Sequence, residues 1–253
     1  MNPIVWHRLT RYLLTGDVIA LGILAGRVLR VIQLDHVHIM GRSLGDTDPA
    51  LDKLRARVQD LHTRFAQPAD LDLLRSTFPH HARMYAERMQ QGDQCLLVEG
   101  GSKPVAFTWL KPHPDVVIAE IGCRVKLPPQ GVWGYDTFVL PKARLAGAFV
   151  VLMCELLAEL RRRGASSVFG TITHTNRESF HSHQRLGYGI ALTLSRVQLP
   201  GLCLYRILPS GDRARCSVST RGAPEIPIAA PRGEKLGGQD TALAGRTAGP
   251  GPS

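Results

Sequence analysis

The chain is 253 residues long, which suits one substantial domain with extensions and allows a sizeable hydrophobic core. Its net charge of +10 is spread along the whole chain instead of being concentrated in one arm, so the charge argues against a nucleic-acid-binding protein. The 5 cysteines are widely spaced and include no C-x-x-C pair, which argues against a disulfide framework or a zinc site and predicts a reducing, cytoplasmic location.

Residues 1–60 are predicted to form a helix and a strand that extend the main domain. The stretch Tyr12–Val31 is apolar but interrupted by charges, and its longest uncharged run, Val18–Gly26, is too short to cross a bilayer, which takes about 20 apolar residues. We expect a helix packed on the domain; the alternative is peripheral contact with a membrane through the arginines that flank the apolar run. Val31–Ile39 then predicts a strand.

Residues 61–208 are predicted to form the folded domain. It opens with a strand near Thr63 and two short helices. Two strands are expected on either side of Gly100-Gly101-Ser102, a sequence typical of a hairpin turn. Further strands are predicted at Val116–Val125 and Val132–Leu140, where β-branched and aromatic residues are frequent.

The second half of this domain alternates helices with strands. Apolar residues recur at helical spacing over Leu145–Leu160, and Ser166–Thr173 predicts a buried strand. Thr175 and Glu178 form a capping-box pattern for a helix that ends at Gly187. This order predicts an α+β fold with a mixed, mostly antiparallel central sheet flanked by helices.

Residues 209–253 are predicted to form a disordered tail. The segment is rich in Gly, Pro, Ala, Ser and Arg, with few large apolar residues. Such a composition buries too little apolar surface to offset the entropy lost on ordering.

Two short motifs flank the predicted strand Ser166–Thr173. Arg144-Leu-Ala-Gly-Ala-Phe149 would place backbone amides at a helix N-terminus, where an anion binds well. Asn176-Arg-Glu-Ser179 and Leu186-Gly-Tyr188 begin and end the next helix; each motif alone is an ordinary helix start or cap. Together, in this order, they resemble the GNAT N-acyltransferase superfamily, in which the first motif reads Gln/Arg-x-x-Gly-x-Gly/Ala. Phe149 departs from that pattern, because a small residue is usual there.

The resemblance implies acetyl-CoA or another acyl-CoA as acyl donor, with no metal. The turn would bind the pyrophosphate, with Gly147 allowing the backbone to approach it closely, and Asn176 would hold the pantetheine arm. A backbone amide around Phe138–Leu140 would stabilise the oxyanion. The residues implied in cofactor binding are Phe138, Val139, Leu140, Arg144, Leu145, Ala146, Gly147, Ala148, Phe149, Asn176 and Ser179.

The resemblance also suggests catalytic residues. His183 stands where many relatives have a Tyr that protonates the leaving thiolate, and an imidazole can donate a proton near neutral pH. The candidate bases are Asp136 and Glu120, while Trp133 and Tyr135 are expected to line the acceptor pocket. The alternative for each is a structural role: a half-exposed helix residue for His183 and a solvated carboxylate for the two acids.

Paired histidines occur at three places in the chain: His36-x-His38, His80-His81 and His181-x-His183. None has a companion ligand at a recognised zinc spacing, so the sequence predicts no metal site.

The sequence thus predicts an acyl-CoA-dependent N-acyltransferase that transfers an acyl group directly to a small-molecule or peptide amine. Two alternatives stay open: a non-catalytic module that binds acyl-CoA or a protein partner, and a long-chain N-acyl amino acid synthase. Neither the acceptor nor the oligomeric state follows from the sequence.

Overall fold

The computed structural model describes residues 33–45, 47–58, 60–79, 84–199, 202–211, 214–219 and 224–231. The helix predicted within Tyr12–Val31 lies outside these residues. The strands are β1 Gln33–Ser43, β2 Leu61–Phe65, β3 Gln94–Gly100, β4 Lys103–Lys111, β5 Asp115–Ile118, β6 Cys123–Lys126, β7 Gly131–Val139, β8 Ser167–Thr173, β9 Gly189–Leu199, β10 Leu202–Pro209, β11 Arg215–Ser219 and β12 Glu225–Pro227. The helices are α1 Pro49–Arg55, α2 Leu71–Thr77, α3 Tyr85–Gln90, α4 Pro141–Arg144, α5 Ala148–Arg162 and α6 Arg177–Arg185.

The described strands form a nine-stranded sheet in the order β11-β10-β9-β1-β8-β7-β4-β3-β2 and a three-stranded sheet in the order β12-β6-β5. Strand β1 lies between β8 and β9 and pairs antiparallel with both. The strand predicted within the extension of residues 1–60 is therefore an internal part of the central sheet.

Strands β7 and β8 form the one parallel pair among the described strands of the large sheet. Parallel neighbours need a crossover connection, and α5 supplies it. The pairing covers only residues 131–133 of β7 and residues 167–169 of β8. Since β7 continues to Val139 and β8 to Thr173, the two strands part beyond Trp133 and leave a gap in the sheet.

Each face of the large sheet is covered by different elements. Helix α5 buries its apolar stripe, including Leu152, Leu156 and Leu157, against one face. Because successive residues of a strand point to opposite faces of the sheet, every second residue of these strands packs on the face away from α5. There the three-stranded sheet covers Trp133 and Phe169, and helices α2 and α3 cover a further cluster of aromatic residues. The α+β class and the mostly antiparallel sheet are confirmed.

The prediction of disorder from residue 209 onward is wrong for two segments. Strand β11 pairs with β10, and β12 pairs with β6. Ile226 and Ile228 are buried in the cluster beneath the three-stranded sheet, at 4% and 6% exposure. These two isoleucines, at alternating positions, anchor the segment around β12 on the domain. The average composition of residues 209–253 does not show this contact. Residues 232–253 lie outside the described part.

The strand predicted over Val116–Val125 is a hairpin made of β5 and β6. Gly122 has φ +59°, in the left-handed region that a tight turn uses.

Candidate active site

A cleft of about 230 Å³ opens where β7 and β8 part. Residues 134–137 of β7 and 168–173 of β8 form its two sides. Helix α6 and its N-cap contribute Asn176, Ser179 and His183 to the lining. The remaining lining residues, largely apolar, are Met40, Thr108, Met153, Leu156 and Tyr188. The structure thus brings five predicted site residues together: Tyr135, Asp136, Asn176, Ser179 and His183.

The backbone of β7 is irregular beside this cleft. Its register with β4 shifts between Phe107 and Trp109, and Asp136 has φ +49°. A non-glycine residue in this region is uncommon and concentrates at functional sites. The bulge bends the strand where Asp136 lines the cleft.

Beyond the bulge, one backbone amide of β7 is turned toward the gap. The Leu140 amide donates to the Val105 carbonyl at 2.9 Å, and Phe138 pairs directly with Phe107. In an antiparallel ladder alternate residues bond the neighbouring strand, so Val139 between them directs its N–H and C=O away from β4. The Val139 carbonyl is 3.4 Å from Nε of Arg144, which agrees with this orientation. Of the three predicted oxyanion residues, only Val139 therefore has its amide on the side that β8 leaves open.

The N-terminus of α5 begins just past the end of β7. Gly147 caps the helix with φ +79°, and the Val151 amide is bonded back to its carbonyl at 3.0 Å. The preceding helical amides, at residues 148–150, have no acceptor within the helix and carry its positive dipole end. Lys142 and Arg144 are exposed on α4 beside this turn, and Leu145 is fully exposed at 101%. These groups can bind an anion.

Gly147 allows a close contact within the protein. A β-carbon built at Gly147 would lie 2.8 Å from Cγ2 of Val58. The close approach that the glycine permits is therefore made by the Val58 side chain within the protein, so this feature is no evidence for a ligand.

Phe149, the departure from the family pattern, is half-buried. Its ring packs against the core beneath α5 and meets the His183 ring edge-on, with centroids 5.4 Å apart. The Phe149 ring thus connects α5 with α6, so residues of the two sequence motifs are in direct contact.

Asn176 is the N-cap of α6. Its Oδ1 accepts a hydrogen bond from the Ser179 amide at 3.2 Å. The cap engages the oxygen of the side-chain amide and leaves the Nδ2 donors for other partners. Asn176 thus has its structural role and also lines the cleft.

His183 is a neutral imidazole at neutral pH with a defined tautomer. Its Nδ1 is 2.8 Å from the Ser179 carbonyl oxygen, which only accepts, so Nδ1 carries the proton and Nε2 a lone pair. Burial lowers the pKa of His183, although the bond to this carbonyl acts in the opposite direction. The ring is held between Phe149 and Tyr188. In its resting state His183 is therefore a proton acceptor, whereas the family position suggested a donor.

Asp136 is held by a buried cation. Its carboxylate pairs with Arg88, whose guanidinium stacks over the rings of Trp109 and Tyr135 at 5.2 and 4.9 Å. Burial, together with a 2.6 Å hydrogen bond to Asp93, raises the pKa of the Tyr135 hydroxyl. Tyr135 lines the cleft with its hydroxyl committed to that bond, so the network fixes one wall of the cleft.

Two of the predicted catalytic and acceptor-pocket residues lie elsewhere. Glu120 is exposed in the turn between β5 and β6, because the expected strand is a hairpin there. Trp133 is 3% exposed and packs in the cluster beneath the three-stranded sheet. Neither lines the cleft.

Sequence reasoning missed Arg88 and Tyr188 as site residues. Arg88 lies 48 residues before Asp136, and no local pattern marks the pair. Tyr188 served only to end the second motif, yet it is 5% exposed and lines the cleft. Burial raises the pKa of its hydroxyl, which therefore stays protonated.

A histidine cluster lies close to the cleft. Nitrogen atoms of His36, His38 and His174 are all within 4.8 Å of one another. Burial, with the neighbouring imidazoles, lowers the pKa of His38 to about 4. Sequence reasoning found the first two residues and missed the third, which is distant in the chain.

None of the helices in the described residues combines the length and the apolar stretch needed to cross a membrane. No protein-family model and no curated protein sequence matches this chain.

Solved structures of similar fold exist. A GCN5-related glucosamine N-acetyltransferase region of a fungal multidomain β-N-acetylglucosaminidase is 13% identical, with TM-score 0.50, over 70% of this chain and 22% of the fungal one. A conserved Staphylococcus epidermidis protein of unknown function is 12% identical, with TM-score 0.45, over 74% of this chain and 66% of that one. A GNAT-family acetyltransferase of Novosphingobium aromaticivorans is 13% identical, with TM-score 0.44, over 66% of this chain and 65% of that one. The chain thus spans about a fifth of the fungal protein and about two thirds of the bacterial ones.

The fold is GNAT-like. The parted parallel strands, the bulge in β7 and the helix that starts where β7 ends belong to this class, and the similarity to the fungal region agrees.

Proposed function

We propose that the protein is an acyl-CoA-dependent N-acyltransferase that transfers a short acyl group, such as acetyl, to an amine. The observation that carries this proposal is the parting of β7 and β8, with the Val139 amide directed into the gap and the N-terminus of α5 beyond it. The fold supports the same class, since the similar fungal region is described as a glucosamine N-acetyltransferase.

The groups around the gap fit an acyl-CoA. The first-turn amides of α5, with the side chains of Lys142 and Arg144, would bind its phosphates. The pantetheine arm would run along the open edge of β7, within reach of the Nδ2 donors of Asn176. Once bound, the thioester supplies the activated acyl group. The Val139 N–H would then donate to the thioester carbonyl oxygen as negative charge develops there.

His183 is the residue we assign to proton transfer. Its Nε2 would accept the proton that the attacking amine loses, directly or through one water. The imidazolium would then give this proton to the departing sulfur, so the products are an amide and a free thiol. Because burial disfavours the charged ring, it would release the proton readily. Asp136, fixed by Arg88, would orient the acceptor amine.

The size of the cleft favours a short acyl group. Its volume of about 230 Å³ lies below the roughly 300–1,000 Å³ of pockets for drug-sized ligands. Met153 and Leu156 of α5 close its inner end. These observations count against the long-chain N-acyl amino acid synthase alternative.

A non-catalytic acyl-CoA-binding module is the second candidate. The observation that favours it is the ion pair between Asp136 and Arg88, which engages the one predicted base that lines the cleft. In this case His183 would serve only to pack α6 against α5.

The test measures acetyl-CoA binding by calorimetry and thiol release with a panel of amino sugars, amino acids and peptides. We compare the wild type with His183→Gln, which keeps a donor for the Ser179 carbonyl, and with His181→Gln, an exposed control on the same helix. We expect His183→Gln to lower kcat by about 10²–10⁴-fold with little change in affinity, and His181→Gln to behave as wild type.

The outcomes separate the candidates. Binding without turnover on any acceptor would support the binding module. A wild type that binds no acetyl-CoA would contradict both candidates, and equal turnover by the wild type and His183→Gln would remove His183 from the mechanism.

A further inference from the structure

Three histidines from distant parts of the chain converge at the side of the central sheet. His36 and His38 are two residues apart on β1, so they share a face of the strand. His174 follows the end of β8, and its amide donates to the His36 carbonyl at 3.1 Å. The antiparallel pairing of β1 with β8 therefore fixes the third imidazole beside the first two.

The neighbouring strand β9 orients the rings of His36 and His38. Nδ1 of His36 is 2.7 Å from the Ser195 hydroxyl, and Nδ1 of His38 is 3.0 Å from the Thr193 hydroxyl. When each Nδ1–H donates to its hydroxyl, Nε2 of the same ring carries the lone pair that a metal ion needs. Metal-bound histidines almost always have such a partner for the other ring nitrogen.

The distances suit a small divalent cation. The Nδ1 atom of His174 is 3.5 Å from Nε2 of His38. Around a tetrahedral zinc with Zn–N bonds of about 2.0–2.1 Å, two ligand nitrogens are roughly 3.3–3.4 Å apart. All three residues offer a nitrogen atom, and these atoms lie within 4.8 Å of one another. The ring centroids lie 4.9–5.7 Å apart, and His36 is edge-on to both other rings.

We propose that His36, His38 and His174 bind a Zn²⁺ ion, with the fourth position open to water or an anion. Three imidazoles with one open position form a known type of zinc site. The rings are only partly buried, which leaves a path for the ion. Arg206 acts electrostatically on His36 from β10 and would favour an anionic fourth ligand such as hydroxide.

The position of the site gives it a structural consequence. His174 directly follows Thr173 and lies two residues before Asn176, both of which line the cleft. The His38 ring also contacts Phe180 of α6, with centroids 5.3 Å apart. A bound ion would tie β1 to the turn that starts α6, and this role does not depend on the proposed acyltransferase activity.

The experiment titrates ZnSO₄ into chelator-treated full-length protein and follows heat, stoichiometry and thermal unfolding. We expect one ion per chain and a rise in Tm, because zinc stabilises the folded state that binds it. His174→Ala should weaken the affinity by about 100-fold or more, and the double variant His36→Ala/His174→Ala should abolish the rise in Tm. His113→Ala, an exposed histidine outside the cluster, is the matched control and should behave as wild type.

Cobalt substitution distinguishes this cluster from thiol ligands. Co²⁺ in the wild type should give the intense visible bands of a tetrahedral site without a thiolate charge-transfer band, which would instead implicate Cys203 or Cys216. Circular dichroism verifies that each variant folds, and His174→Asn replaces any alanine variant that does not. Zinc binding of equal strength in the wild type and in every folded cluster variant, or a thiolate band, would overturn the proposal.

Discussion

Gly147 has φ +79°, and a β-carbon built on it would lie 2.8 Å from Cγ2 of Val58. Gly164 shares the conformation, with φ +78°, but a β-carbon there would meet nothing within 4 Å. The two glycines cap opposite ends of α5. Comparing them therefore separates the strain of a positive φ from the steric contact with Val58.

We expect Gly147→Ala to destabilise the protein by more than about 1 kcal/mol, because alanine is strained at this φ and must also displace Val58. Gly164→Ala should lose less, since only the strain applies. Adding Val58→Ala to Gly147→Ala should recover part of the loss beyond what Val58→Ala alone predicts. Urea denaturation of the wild type and the four variants measures these losses; equal losses at both glycines would show that Val58 makes no difference.

His183 makes stability depend on pH. Its pKa in the folded state is lowered by burial, so the unfolded state binds a proton at higher pH than the folded state does. The contribution is complete above the unfolded value of about 6.5 and is lost as the pH falls toward the folded pKa. We expect the free energy of unfolding to fall between pH 7 and pH 5, and to fall less steeply in His183→Gln. Parallel curves for the two proteins, measured by urea denaturation with chelator present, would contradict this.

At the scale of the element, the N-terminus of α5 collects positive charge on a 15-residue helix. Lys142 and Arg144 add two exposed cations to the dipole there. At the other end, Arg162 is exposed and paired with Glu159. Exposed basic residues therefore lie near both ends of α5, and those near its C-terminus can serve as the control for those near its N-terminus.

We expect Lys142→Ala/Arg144→Ala to weaken acetyl-CoA binding by about tenfold at low salt, because two phosphate partners are removed. Arg162→Ala should bind as wild type. Calorimetry at two salt concentrations provides the readout, and the difference should shrink at the higher one. An unchanged affinity in the double variant would place the phosphates elsewhere.

Local patterns explain which elements the sequence predicts well. The apolar stripe of α5 depends on residues three or four apart and is present from Ala148 onward, whereas Leu145, expected to be in it, precedes the helix and is exposed. Helix α6 begins where expected, but Asn176 is its N-cap instead of Thr175 of the predicted capping box. The pair of Asp136 and Arg88 depends on how helix α3 packs on the sheet, and the amide direction of Val139 depends on the pairing of β7 with β4. Glu120 was misplaced for a related reason: nothing local shows that its strand turns back on itself.

At the scale of the whole molecule, the chain recruits segments from both ends into its core. Strand β1 completes the large sheet from the N-terminal side, and β12 completes the small sheet from the C-terminal side. The average composition of residues 209–253 predicts a tail, and two isoleucines hardly change that average. That these two isoleucines are buried can be recognised only once the apolar cluster against which they pack is known.

The docking of β12 can be tested with one substitution. Ile226→Ala should destabilise the protein by about 2–4 kcal/mol, because Ile226 is 4% exposed in the cluster beneath the small sheet. Val117→Ala, on β5 of the same sheet, should change stability by no more than about 0.5 kcal/mol, since Val117 is 59% exposed. Similar effects of the two substitutions on thermal unfolding would indicate that the segment is not docked.

The place of β1 between β8 and β9 also bears on biosynthesis. A ribosome makes β1 before either partner, and the bond between His36 and Ser195 joins residues 159 positions apart. The nascent chain therefore carries β1 without either partner until β8 has left the exit tunnel, and with one open edge until β9 follows. Contacts of such separation slow folding, and an open strand edge invites pairing with other chains. We therefore expect the edges of β1 to stay exposed until late in synthesis, when its two partner strands become available.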